Sequence, residues 1–500
     1  MKRRLKALLE KLVPKGSVLQ RTVKSGIWVS ATKLSARLSQ ILMLIILARL
    51  LSPRDFGLVG IALLTLSATE QLTQIGLDSA LIQQKKENVD SYLDTTWCLE
   101  IARGLLVFGV LFSLAPFIAQ FFSEPEATNI IRVLALGPVL FGLRNPGVVY
   151  FRKNLEFHKE FLYQTSGSVV QFVVGVSYAL YSPTVWALVF ASLSLPATNF
   201  VLSYLLHGYR PWPSFDIGAA RELINFGKWI TGAAIIGWLY REGDDAFVGW
   251  FISATALGFY QYAYRLADAP ATEVSGIISQ ITFPAYSAIQ DDIDELRNAL
   301  IQSTRFTAFL TFPMAFGIAL VAPSFVPAVL GQEWTPMILT MQILAMYGLL
   351  HSVTRNFGAV WKALGRPDLI VKTGLLRVFC IAVMIWPATA MWGIEGTALT
   401  VTLVFLFPML PIDVWLAAKL TEGRPRQLYR EYLYPCVAAT TMFGTLWYAR
   451  TLVDLPPVVE FVLLIPAGAL VYGGAAFVLE RRFDWGVEQN LQMILNGIRG

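Results

Sequence analysis

The sequence predicts an all-α integral membrane protein with about fourteen transmembrane helices, and three observations predict it. Hydrophobic residues make up 55% of the 500 residues and charged ones only 15%, with a mean hydropathy of +0.55. Soluble domains run near ~45–50% apolar and ~25% charged. The apolar residues gather in blocks of about twenty, the length that crosses a ~30 Å hydrocarbon layer at 1.5 Å per residue. These blocks recur along the whole chain with short connections, which leaves no room for a catalytic domain between them. A soluble enzyme, a secreted disulfide scaffold and a disordered chain are excluded.

The spans fall at approximately 26–47, 56–77, 95–121, 128–149, 161–181, 184–206, 227–251, 257–283, 301–321, 337–360, 370–390, 394–417, 431–449 and 458–479. Ahead of them, residues 1–25 are basic, with Leu5, Leu8, Leu9 and Leu12 on one helical face. That pattern reads as an amphipathic helix on the membrane surface, not as a cleavable signal peptide. Residues 26–206 form a first lobe of helices 1–6, and 207–226 a cytoplasmic linker containing Arg210-Pro211-Trp212-Pro213. Residues 227–417 form a second lobe of helices 7–12, followed by helices 13–14 over 418–480 and a cytoplasmic tail over 481–500.

Basic residues set orientation, because Lys and Arg are retained on the cytoplasmic side. With the N-terminus inside, 26 of the 40 Lys and Arg residues fall in inner segments and only Arg49, Arg54 and Arg450 in outer ones. Both termini are therefore expected in the cytoplasm, with the turns near Pro53, Glu124, Gln332 and Glu395 outside. The net charge of +6 reports this bias and not nucleic-acid binding. Cys98, Cys380 and Cys436 lie inside apolar blocks and read as small buried hydrophobes. His158, His207 and His351 carry no metal-ligand spacing, and no Walker A sequence is present. No metal site, no cofactor and no catalytic residue is expected.

An internal repeat runs through the chain. A shift of 201 positions superposes Gly26 and Trp28 on Gly227 and Trp229, Ser52 on Ser253, Gly57 on Gly258, and Ala62 on Ala263. Two halves entered from the same side are parallel repeats, and transporters often place a substrate path between such halves.

Eleven basic residues remain inside the spans, at a cost of about 2.5–3.5 kcal/mol each at a helix centre on insertion scales. Lys228, Arg132 and Arg377 sit near span ends, where a long side chain reaches the interface. Glu100 and Arg103 are spaced for an intrahelical pair. The rest suggest a water-filled cavity with a positive lining. Lys33 and Arg37 are one turn apart; Arg241 shares a face with Asp244 and Asp245; Arg265, Asp268 and Thr272 align. Arg305 follows Gln302, and Arg355 follows His351. Lys33, Arg37, Arg241, Arg265, Arg305 and Arg355 are the candidate substrate-binding residues, because guanidinium forks match phosphate or carboxylate. Intramembrane prolines such as Pro138, Pro270, Pro313 and Pro408 fit helices that bend around such a cavity.

The residues also carry a family likeness. Ala48-Arg49-Leu50-Leu51-Ser52-Pro53-Arg54-Asp55-Phe56-Gly57 resembles the first outer turn of the polysaccharide transporters. These are O-antigen and exopolysaccharide flippases of the multidrug/oligosaccharidyl-lipid/polysaccharide exporter superfamily. Ala256-Leu257-Gly258-Phe259-Tyr260, Ala263-Tyr264-Arg265, Phe283-Pro284-Ala285, Gly331-Gln332-Glu333-Trp334 and Leu364-Gly365-Arg366-Pro367 continue the likeness. The resemblance implies a two-lobed transporter that moves an undecaprenyl-pyrophosphate-linked oligosaccharide between leaflets by alternating access. It implies coupling to H+ or Na+, with Glu70, Asp244, Asp245, Asp268 and Glu273 as acidic candidates. The implied partners are an anionic lipid-linked oligosaccharide, membrane lipids, and a polysaccharide polymerase with its export machinery. The transporter itself is expected to be monomeric, in a bacterial or archaeal cytoplasmic membrane. An ion-coupled drug antiporter of the same superfamily would line its cavity with acids and aromatics, and a non-transporting scaffold would have no reason to bury so many charges.

Overall fold

The structure is a computed structural model and describes residues 18–73, 90–154, 156–214, 216, 237–483 and 485–486. Residues 1–17 of the expected amphipathic N-terminus, most of the linker, and the tail beyond Gly486 lie outside the described residues. Every regular element among the described residues is helical. In order they are α1 (Val18–Leu50), α2 (Pro53–Thr73), α3 (Asp90–Phe121), α4 (Ala127–Leu134), α5 (Leu136–Gly142), α6 (Val149–Lys153), α7 (Phe157–Tyr181) and α8 (Trp186–Leu206). They continue with α9 (237–251), α10 (Ala254–Ala288), α11 (Ile293–Phe325), α12 (Ile338–Ala363), α13 (Asp368–Val404), α14 (Leu410–Leu420), α15 (Pro425–Leu452) and α16 (Pro457–Phe483). The chain divides into two compact units, Met1–Gly258 and Phe259–Gly500.

Among the described residues, eight helices are long and apolar enough to cross a membrane, or nine if the bent run from Ala127 to Lys153 is one span. The longest of them, Asp368–Leu420, is two antiparallel arms. Gly393 has a positive φ of 59°, which only glycine adopts without strain, and the Thr389 and Thr397 hydroxyls meet at 2.8 Å. Eight residues of continuous helix would separate these positions by ~12 Å, so the chain reverses at Trp392–Gly393. Gly396 permits the tight return, since a β-carbon there would stand 2.0 Å from the Ala388 carbonyl oxygen.

Large apolar side chains stay exposed on many of these helices, among them Phe117, Phe379, Val462 and Leu470. In water such surface would be a liability; in hydrocarbon it is the solvent contact. The buried core of the second unit runs from Leu296 and Phe312 through Phe357, Trp361 and Val414 to Ala438, Met442 and Tyr472. It fixes α11, α12, α14, α15 and α16 against one another.

The repeat is visible in the first unit. The Ser52 hydroxyl accepts the N–H of Asp55 at 3.3 Å and caps α2, and the Ser253 hydroxyl accepts the N–H of Ala256 at 3.1 Å and caps α10. The two caps are related by the same shift of 201. They also pack reciprocally: a β-carbon on Gly57 would stand 1.7 Å from the Ala254 carbonyl oxygen, and one on Gly258 2.0 Å from that of Pro53. Each helix start uses its glycine to seat the backbone of the other. Phe121 stacks on Trp250 beside them, with ring centroids 5.7 Å apart.

A ladder of polar pairs and the intramembrane charges

In the second unit α10 and α12 run side by side and match residues at every fourth position, one helical turn apart. Tyr264 meets Tyr347 with ring centroids 5.3 Å apart. One turn on, His351 Nδ1 lies 3.6 Å from Asp268 Oδ1. A further turn on, Arg355 Nη1 donates to the Thr272 carbonyl at 3.4 Å, and its guanidinium rests against Gly276. Gly348 allows this approach, because its missing β-carbon would stand 3.0 Å from Asp268 Cα. Of the expected alignment of Arg265, Asp268 and Thr272, Asp268 meets His351 and the Thr272 backbone meets Arg355 from the neighbouring helix, whereas Arg265 meets neither. Arg265 and Glu273 are exposed on α10, and Arg355 is exposed on α12.

Behind the ladder lies an arrangement that sequence reasoning missed. The Phe405 ring packs on Tyr347 (4.8 Å) and His351 (5.8 Å), and Arg377 stands 3.8 Å above its centroid. Arg377 Nη2 faces Asp413 Oδ2 at 3.8 Å, and both side chains are buried. The expectation that Arg377 merely reaches the interface from a span end is thereby corrected: α14 brings a carboxylate to it. Asp413, an acid inside an apolar run, was the available signal.

Arg305 has a different setting from its fellow candidates. Its Nε donates to Glu431 Oε2 at 2.6 Å, and Trp485 Nε1 donates to the same oxygen at 3.2 Å. With side chains 18% and 5% exposed, this pair ties α11 to α15, and its charge is already answered.

In the first unit Trp238 Nε1 donates to Ser67 Oγ at 2.9 Å, which sets α9, bearing Arg241, Asp244 and Asp245, against α2, bearing Glu70. Glu70 lies within electrostatic reach of Arg103 and Glu100. Arg103 and Glu100 form the expected intrahelical pair at 3.0 Å. Asp244 and Asp245 are buried, while Arg241 is exposed and pairs with neither. Arg37 Nη1 donates to Gln40 Oε1 at 3.2 Å, and Lys33 is exposed one turn before it. Among the described residues, Arg241, Arg265 and Arg355 are span arginines with no carboxylate partner. Also among the described residues, no group of His, Cys, Asp and Glu could hold a metal ion.

Comparison with known proteins identifies the family. Residues 46–339 match the family described as polysaccharide biosynthesis protein. The chain is 27% identical over 396 residues to the lipopolysaccharide biosynthesis protein WzxC of Escherichia coli (strain K12), covering 78% of this chain and 79% of the relative. It is 23% identical over 467 residues to the teichuronic acid biosynthesis protein TuaB of Bacillus subtilis (strain 168), covering 91% and 95%. Its fold is similar to that of the lipid II flippase MurJ in an inward closed conformation, with a TM-score of 0.73 at 13% identity, over 91% of this chain and 99% of that one. With more than half of its residues inside the matched region, the chain belongs to the polysaccharide biosynthesis protein family.

Proposed function

We propose that this protein is a flippase that moves a lipid-linked oligosaccharide from the inner to the outer leaflet of the cytoplasmic membrane. The observation that carries the proposal is a set of exposed arginines within the spans, Arg241, Arg265 and Arg355, that have no carboxylate partner among the described residues. Each would cost about 2.5–3.5 kcal/mol in hydrocarbon, and no carboxylate among the described residues repays it. An arginine in that position faces water and is stabilised by an anion. The relatives supply the class of anion, since their names place them in lipopolysaccharide and teichuronic acid biosynthesis. A saccharide carried on a phosphorylated polyprenol, in the pyrophosphate form that the family likeness implies, meets both conditions.

The finer architecture belongs to the same proposal. Fourteen spans in two six-helix lobes with a terminal pair would put both termini in the cytoplasm and the turns at Ser52 and Ser253 outside. Arginines along the path compensate the headgroup charge in stages, whereas a single strong site would hold it too tightly to release. Asp268, Glu273, Asp244, Asp245 and Glu70 remain the candidates for H+ or Na+ coupling. A polymerase and export machinery would take the cargo on the outer side.

The test is a deletion strain. Loss of the protein should leave lipid-linked oligosaccharide accumulating on the cytoplasmic leaflet with surface polysaccharide absent, and expression of the intact chain should restore both. Normal surface polysaccharide, with hypersensitivity to cationic drugs instead, would favour the antiporter and overturn the proposal.

A further inference from the structure

A second cationic site lies away from the ladder, in the second unit, where α11 meets the connection from α14 to α15. A pocket of about 600 Å³ is lined there by Arg297, Glu422, Arg424, Arg426, Gln427 and Arg430. Arg297 is fixed in place: it pairs with Asp294, and its Nη1 donates to the carbonyls of Thr421 (3.2 Å) and Glu422 (3.4 Å). Those bonds hold the connection as one wall of the pocket. Glu422 takes a positive φ of 50° to make the turn, and the Arg424 N–H donates to Gln427 Oε1 at 2.9 Å to start α15. Arg426 and Arg430 then project one helical turn apart from the first turns of a 28-residue helix.

Among the described residues, Arg424, Arg426 and Arg430 have no carboxylate partner, and all three are exposed. Retention of Lys and Arg on the cytoplasmic side accounts for their sign but not for their convergence on one pocket. Arg366 and Lys372, at another connection expected on the same side, both bond Asp368 at 2.9 Å. Like charges at i and i+4 repel, and the free N–H groups of a helix start add positive potential to the same place. An anion with several oxygens relieves both, and guanidinium forks match phosphate oxygens two at a time.

We propose that this pocket binds the phosphate-bearing headgroup of a lipid of the cytoplasmic leaflet. The sidedness rests on the topology proposed above; the binding does not. Two lipids carry that chemistry: an anionic phospholipid of the bilayer, and the diphosphate-linked cargo before it enters the transport path.

The experiment uses the purified full chain and two probes, phosphatidylglycerol against phosphatidylcholine by native mass spectrometry, and inorganic pyrophosphate by equilibrium titration. Binding of at least one probe should weaken about tenfold or more in Arg426→Gln/Arg430→Gln, since a hydrogen bond to a charged group contributes up to about two tenfold steps. Arg366→Gln should leave it unchanged. Preference for phosphatidylglycerol identifies the bilayer lipid as the source, and pyrophosphate binding without that preference identifies the cargo headgroup. Arg430→Lys keeps the charge and loses the fork, so an intermediate loss reads the same site should the double variant not fold. Equal binding of both probes by the wild type and the double variant, or an equal loss in Arg366→Gln, would overturn the proposal. Neither result bears on whether the protein transports glycan.

Discussion

Glu100–Arg103 and Arg241–Asp244 are two stretches of the first unit with the same spacing and opposite order. The first forms its pair at 3.0 Å with both side chains under 15% exposed, and the second forms none. Side chains on a helix lean toward its N-terminus, so a long cation reaches back to an acid that precedes it. Arg241 does so and meets no acid among the described residues: its Nη1 stands 3.2 Å from where a β-carbon on Gly237 would be, one turn upstream. The three-apart pairs Glu156–Lys159 and Asp294–Arg297 and the four-apart pair Asp368–Lys372 all place the acid first. Order as well as spacing therefore decides which cations find an acid on their own helix, while Arg305 and Arg377 find theirs on another.

The largest effects should come from opening a closed pair. Glu431→Ala leaves the largely buried Arg305 guanidinium without its carboxylate, a loss of up to about 3–5 kcal/mol, and thermal unfolding in detergent should show it; Glu100→Ala should cost less, because Glu70 stays within electrostatic reach of Arg103. If Glu431→Ala unfolds like the wild type, Arg305 is not the structural residue described here. For Arg377 and Asp413, removal of either partner should cost about as much, while Arg377→Met with Asp413→Leu should recover most of it, because a packed apolar pair replaces a desolvated ionic one. A double variant as unstable as the singles would point to a further partner for one of them.

A smaller effect, about 1–3 kcal/mol, is expected for Gly348→Ala, whose new methyl presses on the Asp268 backbone and separates the rungs of the ladder. Export should fall more than stability does. The mildest change sharpens the comparison directly. Gly237→Glu puts an acid one turn before Arg241, which should form the missing pair, raise stability by about 0.2–0.5 kcal/mol and lower export. Unchanged export with the pair formed would remove Arg241 from the site.

Much of the fold was legible. Apolar blocks of membrane-crossing length and the shift of 201 foretold the helices and the matched turns at Ser52 and Ser253, because both depend on local chemistry repeated in the chain. The site was legible only where partners share a helix. Arg305 and Glu431 are 126 positions apart, and no spacing rule connects them; Arg305 therefore looked as free as Arg355. Arg377 looked like an interfacial side chain until α14 supplied Asp413 and the turn before it supplied Phe405. The shared face of Asp268 and Thr272 was readable, but the rungs that His351 and Arg355 supply come from helix packing, which Gly348 makes close enough.

Some span arginines answer a carboxylate and others are proposed to serve the cargo, and one measurement distinguishes the two roles. Surface polysaccharide and cytoplasmic-leaflet lipid-linked oligosaccharide are quantified in a deletion strain complemented with Arg265→Gln/Arg355→Gln, at wild-type protein level. Export should collapse and the lipid-linked intermediate accumulate, with thermal stability within about 1 kcal/mol of wild type, since neither arginine holds a buried pair. Full export from that variant would contradict the account.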